Sequence, residues 1–407
     1  MRGKMARKMG DSMKRIAIFC DGTWNAADAP HPTNVVKLAQ AVKRTASDGT
    51  TQAVCYVQGV GTGEGTGQFS RFIDKVGGGA FGWGLTENIE DAYRALVFLY
   101  EPGDEIHIFG FSRGAYTARS LAGLIRSSGI ADARHVQRIP ELIERYRSRD
   151  KQTHPDDEES FRFRHELAPD LFTSEKEKSW REKNGFPSGI RLQLTYVGVW
   201  DTVGALGVPS YYGPLAKVFN KKYQFHDTQL SSSVKSARHA VAIDERRETF
   251  PAALWQNIDK LNATAMAENG DKTAPYQQLW FPGDHGSIGG GGDIVGLSDN
   301  SLLWIAEGAE AQGLEFLPDV VGAYRKNCDY RVSLSNQSTP PRGFFNRVTR
   351  LQMKDRENEG GFAVLSPAAV DRWHEAKENL YEQEPYRPGT LKTCENELAA
   401  CRPTHGE

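Results

Sequence analysis

The chain has 407 residues, 39% of them hydrophobic, with 50 Lys plus Arg against 52 Asp plus Glu and a formal net charge of -2. That length holds one large α/β domain, or an ordinary one carrying insertions, and the balanced charge argues against nucleic acid or another polyanion as the main partner. No run reaches the ~18 consecutive apolar residues of a spanning helix, and Cys20, Cys55, Cys328, Cys394 and Cys401 show neither a CxxC pair nor metal-ligand spacing, so they read as reduced thiols.

Residues 1–13 are basic but lack the apolar stretch and cleavage site of a signal peptide, and read as a frayed leader. On these grounds a cytoplasmic location is expected, with export by a specialised secretion system left open. Two short apolar runs, Arg15 to Cys20 and Ala53 to Gln58, read as strands running into loops. Leu85 to Tyr100 places Leu85, Ile89, Ala92, Leu96 and Leu99 on one helical face and stops before Pro102-Gly103. Glu105 to Phe109 then reads as a strand, GFSRG as a turn, and Ala115 to Ser127 as a helix. From 139 to 187 charges crowd together with few apolar positions, which predicts an exposed, cap-like insertion. Leu192 to Trp200 restores a strand ending at Asp201, Gln278 to Phe281 is a shorter one ending near His285, and Leu302 to Gln312 is helical. Strands alternating with helices predict an α/β fold over residues 14–330, a mostly parallel sheet with helices on both faces. Residues 331–407 are polar, rich in Pro and Arg, and predicted to wrap on that domain as an extension. Ligands of such sheets sit at the carboxyl ends of the strands.

Gly110-Phe111-Ser112-Arg113-Gly114 is a GxSxG match between a strand and a helix, the setting a strained nucleophile elbow needs. Its glycines admit backbone close to the serine, where a side chain would clash. A plain serine N-cap would satisfy the same local sequence. A serine hydroxyl needs a base, and the base needs a group to hold its tautomer, in the chain order Ser, acid, His. After the acid-bearing strand stand His226, His239, His285, His374 and His405. His285 follows a strand and precedes a glycine-rich loop, which favours it. Asp201 closes a strand and is favoured over Asp244, whose neighbours Glu245, Arg246 and Arg247 suit an ion-pair cluster. Oxyanion donors are expected from the backbone of Arg113 and of Gly22 or Thr23. No cofactor and no metal are needed for that chemistry.

Two other motifs compete. Gly77 to Gly82 fits GxGxxG before a helix, but the preceding strand is doubtful and the ribose-binding acid would fall in a turn. Cys20-Asp21-Gly22-Thr23 is similar to the aspartyl-nucleophile segment of haloacid-dehalogenase-like phosphatases, yet Thr23 stands where a second aspartate is required.

FCDGTWN at 19–25, GDEIHIFGFSRGAYTARSLAG at 103–123, VGVWDTVGALG at 197–207, ARHAVAIDERRETFPAALW at 237–255 and LWFPGDHGSIGGGG at 279–292 together resemble an α/β-hydrolase-like family of bacterial and fungal proteins. That family includes phospholipase effectors delivered by type VI secretion. The resemblance implies a Ser112-Asp201-His285 triad and hydrolysis of carboxylic esters, with phospholipids as substrates in the effector branch. The expected partner is an ester or lipid small molecule, with peripheral membrane contact conceivable and Trp200, Tyr211 and Tyr212 as candidate pocket aromatics. The alternatives are a phospholipase or lipase at a membrane surface, and a non-catalytic interaction protein that keeps the fold.

Overall fold

The computed structural model describes residues 13–22, 27–59, 79–203, 229–248, 250–269, 274–338 and 353–404. Strands β1 (Lys14–Cys20), β2 (Thr51–Val57), β3 (Glu105–Phe111), β4 (Leu194–Trp200), β5 (Val234–Ala242) and β6 (Tyr276–Phe281) form one sheet in the order β2-β1-β3-β4-β5-β6. Every pairing is parallel. Both faces are therefore buried, as parallel sheets require. Ile16 and Ile18 of β1 and Ile106 and Ile108 of β3 point to one core; Ala17, Phe19, Phe109 and Phe111 point to the other.

The first core is closed by α2 (Gly79–Leu99) and α3 (Arg113–Ser128), with Ile89, Leu96, Leu121 and Leu124 buried against the strands. The second is closed by α1 (Asn34–Ala41), whose N-cap Thr33 accepts the Val36 N–H, and farther along the chain by Leu302, Ile305 and Ala309. The strand β5 is not legible as one from its sequence, since VKSARHAVA carries Lys235, Arg238 and His239.

The insertion departs from the exposed segment that its charge predicts. Its helices α4 (Ile139–Arg147), α5 (Glu158–Leu167) and α6 (Glu175–Lys183) bury Ile139, Leu142, Ile143, Phe161, Phe163 and Leu167. Three of its charges are turned inward. Arg164 Nε donates to Glu177 Oε2 at 2.9 Å, Arg181 Nη2 reaches Glu177 Oε1 at 3.4 Å, and Thr173 donates to Glu177 Oε2 through its N–H at 2.9 Å and its hydroxyl at 3.0 Å. Composition misleads here because buried charge is admissible once it is paired and hydrogen-bonded. The segment lies along α2 and α3: Arg164 donates to the Ser127 carbonyl at 2.8 Å, and Arg147 donates to the Thr86 hydroxyl.

Farther along the chain, α7 (Pro367–His374) sets Ala369, Val370 and Trp373 against Val241 of β5, Ile243 just past it and Trp280 of β6. Leu380, Tyr386, Leu391 and Leu398 complete this third cluster. The extension thus has an apolar inner face despite its polar average.

Candidate active site

Ser112 sits between β3 and α3 with φ 58 and ψ -119, a conformation that costs a non-glycine residue about 1–3 kcal/mol. Its flanking glycines are sterically required. A Cβ on Gly110 would lie 2.3 Å from the Gly114 carbonyl oxygen, and one on Gly114 would lie 2.0 Å from that of Cys20 and 2.6 Å from that of Asp21. The end of β1 is therefore pressed against the start of α3. The serine does not cap the helix; its side chain makes no bond to the first-turn N–H groups.

The hydroxyl instead faces His285. The Ser112 Oγ stands 2.8 Å from His285 Nε2, and His285 Nδ1 stands 2.5 Å from Asp201 Oδ2. Strands β3, β4 and β6, adjoined in the sheet or joined through β5, bring together residues 84 and 173 positions from His285. Because an ionised carboxylate only accepts, Nδ1 carries the imidazole hydrogen and Nε2 is left to accept from the serine. Asp201 is fully buried. Burial alone would push its carboxyl up, but the Arg356 guanidinium and the His285 ring beside it outweigh burial and hold it well below the usual carboxylate range.

The supports are as specific as the Ser112–His285–Asp201 contacts. Asp201 has a left-handed φ of 35, and its own N–H donates to the Ala240 carbonyl at 2.7 Å. The next N–H, that of Thr202, donates to His239 Nε2 at 3.1 Å, while His239 Nδ1 donates to Gln278 Oε1 at 2.9 Å. Burial pushes the His239 ring down to about 3, so it serves as a neutral acceptor behind the acid. The His285 ring lies against Phe111 at 4.7 Å and Phe250 at 5.1 Å between centroids. A Cβ on Gly289 would come within 2.0 Å of the Phe111 ring, which is why the loop after His285 is rich in glycine. Asp284 caps the short helix that carries His285 (His285–Gly289) by accepting the Ser287 N–H at 2.8 Å, and Ser287 Oγ donates to the Leu334 carbonyl at 2.7 Å.

Residues 14–308 match the family model described as the T6SS phospholipase effector Tle1-like catalytic domain. The chain belongs to that Tle1-like family. An uncharacterized protein of Saccharomyces cerevisiae is 27% identical over 251 residues, which are 59% of this chain and 32% of the yeast protein. Among solved structures, the Tle1 effector bound to the VgrG spike of the Type 6 secretion system aligns at 19% identity and TM-score 0.34, over 70% of this chain and 52% of that one. An uncharacterized protein from Pseudomonas aeruginosa aligns at 15% identity and TM-score 0.37, over 93% and 55%. The chain thus spans about a third of the yeast relative's length and about half of each solved chain.

Within this Tle1-like domain the other expected residues fare differently. Arg113 opens α3, so its backbone N–H stands at the start of that helix. The Gly22 N–H is donated to Asp21 Oδ1 at 2.7 Å, and the Asp21 carboxylate also accepts from Thr33 Oγ1 at 2.8 Å and Tyr56 Oη at 2.9 Å. Asp21 is thereby a buried anchor of the loop after β1. Thr23, Tyr211 and Tyr212 lie outside the described residues. Trp200 is fully buried in the second core rather than lining a pocket, because alternation along β4 turns it into the sheet face. Asp244 is not the acid of the expected ion-pair cluster; Arg247 pairs with Glu245 at 2.5 Å, while Asp244 accepts the Gly283 N–H at 2.7 Å and the Tyr386 hydroxyl at 2.8 Å. Sequence reasoning missed Arg356, which reaches Asp201 from 155 positions away and carries no local motif. Among the described residues no cluster of His, Cys, Asp or Glu is arranged to hold a metal, and no helix is long and apolar enough to cross a membrane.

Proposed function

We propose that this Tle1-like protein is a serine hydrolase that cleaves carboxylic esters through an acyl-serine intermediate, and that lipid esters are its substrate class. The observation that carries the reading is the continuous Ser112–His285–Asp201 chain of hydrogen bonds at 2.8 and 2.5 Å on a strained strand-to-helix turn. In it, His285 Nε2 takes the Ser112 proton as Oγ attacks the ester carbonyl, then returns that proton to the departing alcohol. Water, deprotonated by the same nitrogen, releases the acyl group. The negative oxygen of each tetrahedral species is assigned to the Arg113 backbone N–H at the positive end of α3. Asp201 fixes the tautomer and offsets positive charge on the ring.

The family membership favours a phospholipid over a soluble ester. The reading is tested by fluorophosphonate labelling and by turnover of phospholipid vesicles beside a soluble short-chain ester. Ser112→Ala and His285→Ala are expected to lose at least about 10³-fold in kcat with the fold intact. Unimpaired turnover or labelling in Ser112→Ala would overturn the mechanism. Preference for the short-chain ester would leave the mechanism standing and remove the lipid assignment.

A further inference from the structure

Arg356 lies outside the matched residues 14–308, yet its guanidinium is seated on the acid of the triad. Nη1 donates to Asp201 Oδ1 at 2.6 Å and Nη2 to Asp201 Oδ2 at 3.1 Å. The same two nitrogens donate to the Ala242 carbonyl at 3.0 Å and the Phe250 carbonyl at 2.7 Å. The Arg356 side chain is 8% exposed, and that of Asp201 is 0% exposed. With the Ala242 N–H on Oδ1 at 3.0 Å and His285 on Oδ2, each carboxylate oxygen has two partners. The strand of chain that delivers the arginine is itself tied down: Met353 bridges to Arg247, the Lys354 N–H donates to the Arg246 carbonyl at 2.8 Å, and Arg246 pairs with Asp355 at 2.7 Å.

We infer that Arg356 is a positioning residue of the catalytic machinery, which locks the Asp201 carboxylate by a two-pronged ion pair and sets the pH at which the Asp201–His285 pair gives up its proton. This rests on the triad reading above. A bidentate guanidinium fixes both the position and the plane of a carboxylate, which a single donor cannot do. It also places a permanent positive charge beside a pair whose net charge rises from −1 to zero when it gains a proton. A neighbouring cation favours the more negative form, so the pair stays in its working, deprotonated state to lower pH. The other ionisable groups facing the pair are Glu245, whose carboxylate accepts the His285 N–H at 3.4 Å, its partner Arg247, Asp284 and the neutral His239. Of the charged groups around the pair, Arg356 is the cation in direct contact with the Asp201 carboxylate.

The test is the pH profile of kcat/KM, with a soluble short-chain nitrophenyl ester as probe, for the full chain, Arg356→Gln and Arg356→Lys. The acid limb belongs to the Asp201–His285 pair as a unit. In Arg356→Gln it is expected to move to higher pH by roughly one to three units. In Arg356→Lys, which keeps the charge and loses the fork, it is expected to stay within a few tenths of the wild-type position while kcat falls. A folded Arg356→Gln that merely melts earlier, with its acid limb unmoved, overturns the inference. If the glutamine variant does not fold, the lysine variant decides: a limb at the wild-type position with reduced kcat upholds the inference, and an upward shift of a unit or more overturns it. Ser112→Ala assayed in parallel separates the two claims, since turnover that survives that change defeats the triad itself.

Discussion

Gly114 shows how a single atom decides whether the elbow can exist. Its missing Cβ leaves room for the Cys20 carbonyl 2.0 Å from where that atom would stand, and both neighbours are backbone that cannot swing aside. Gly114→Ala is therefore expected to cost about 3 kcal/mol or more, at the upper end of overpacking penalties, read as a lowered urea midpoint together with a loss of turnover. Asp244 offers a residue-scale expectation of the opposite sign. Burial pushes its carboxyl up to about 6, against an unfolded value near 3.9. A raised carboxyl favours the protonated folded state: the stability it brings is full below about pH 4 and is lost as pH rises through 6. Asn at this position can still accept from Gly283 and Tyr386 but cannot ionise. Asp244→Asn is expected to gain on the wild type as pH rises from 4 to 7, by at most about 3 kcal/mol, and equal urea midpoints at both pH values would refute that.

At the scale of elements, the insertion separates charge that matters from charge that does not. Glu177 holds two arginines in a site where all three side chains are almost wholly buried. Removing one partner of such a group strands the others in low dielectric, so Glu177→Ala is expected to cost about 3–5 kcal/mol. The Glu158–Arg162 pair of the same segment is more than half exposed on both sides, and Glu158→Ala is expected to change the denaturation midpoint by less than about 1 kcal/mol. Composition counted these glutamates alike. The strand β5 is likewise illegible: its His239 is a buried neutral ring that accepts the Thr202 N–H just past β4 and donates to Gln278 on β6. By contrast β3, the turn and α3 are legible in the sequence, because strand, GxSxG and helix are contiguous and their signal is local.

Across the whole molecule, the extension and the site form one structure. Trp373 and Leu380 bury the outer edge of β5 and β6, and the same stretch of chain carries Arg356 to Asp201. Large-to-small changes in such a cluster cost about 3–5 kcal/mol. Trp373→Ala is expected to lose that much in denaturant unfolding and, where residues 353–356 loosen, to displace the acid limb in the direction of Arg356→Gln; an unchanged limb would mean that these residues are held by their own pairing to Arg246 and Arg247.

The amino-acid sequence by itself determined the alternation of strands and helices, the glycine-flanked serine, and the order of serine, acid and histidine, since each is written in neighbouring residues or in chain order. Tertiary structure alone decided which charges are buried, which tryptophan faces the core, and which distant arginine sits on the acid. Those outcomes depend on what lies opposite a side chain once the sheet is assembled, and a residue 155 positions away leaves no mark on the local pattern.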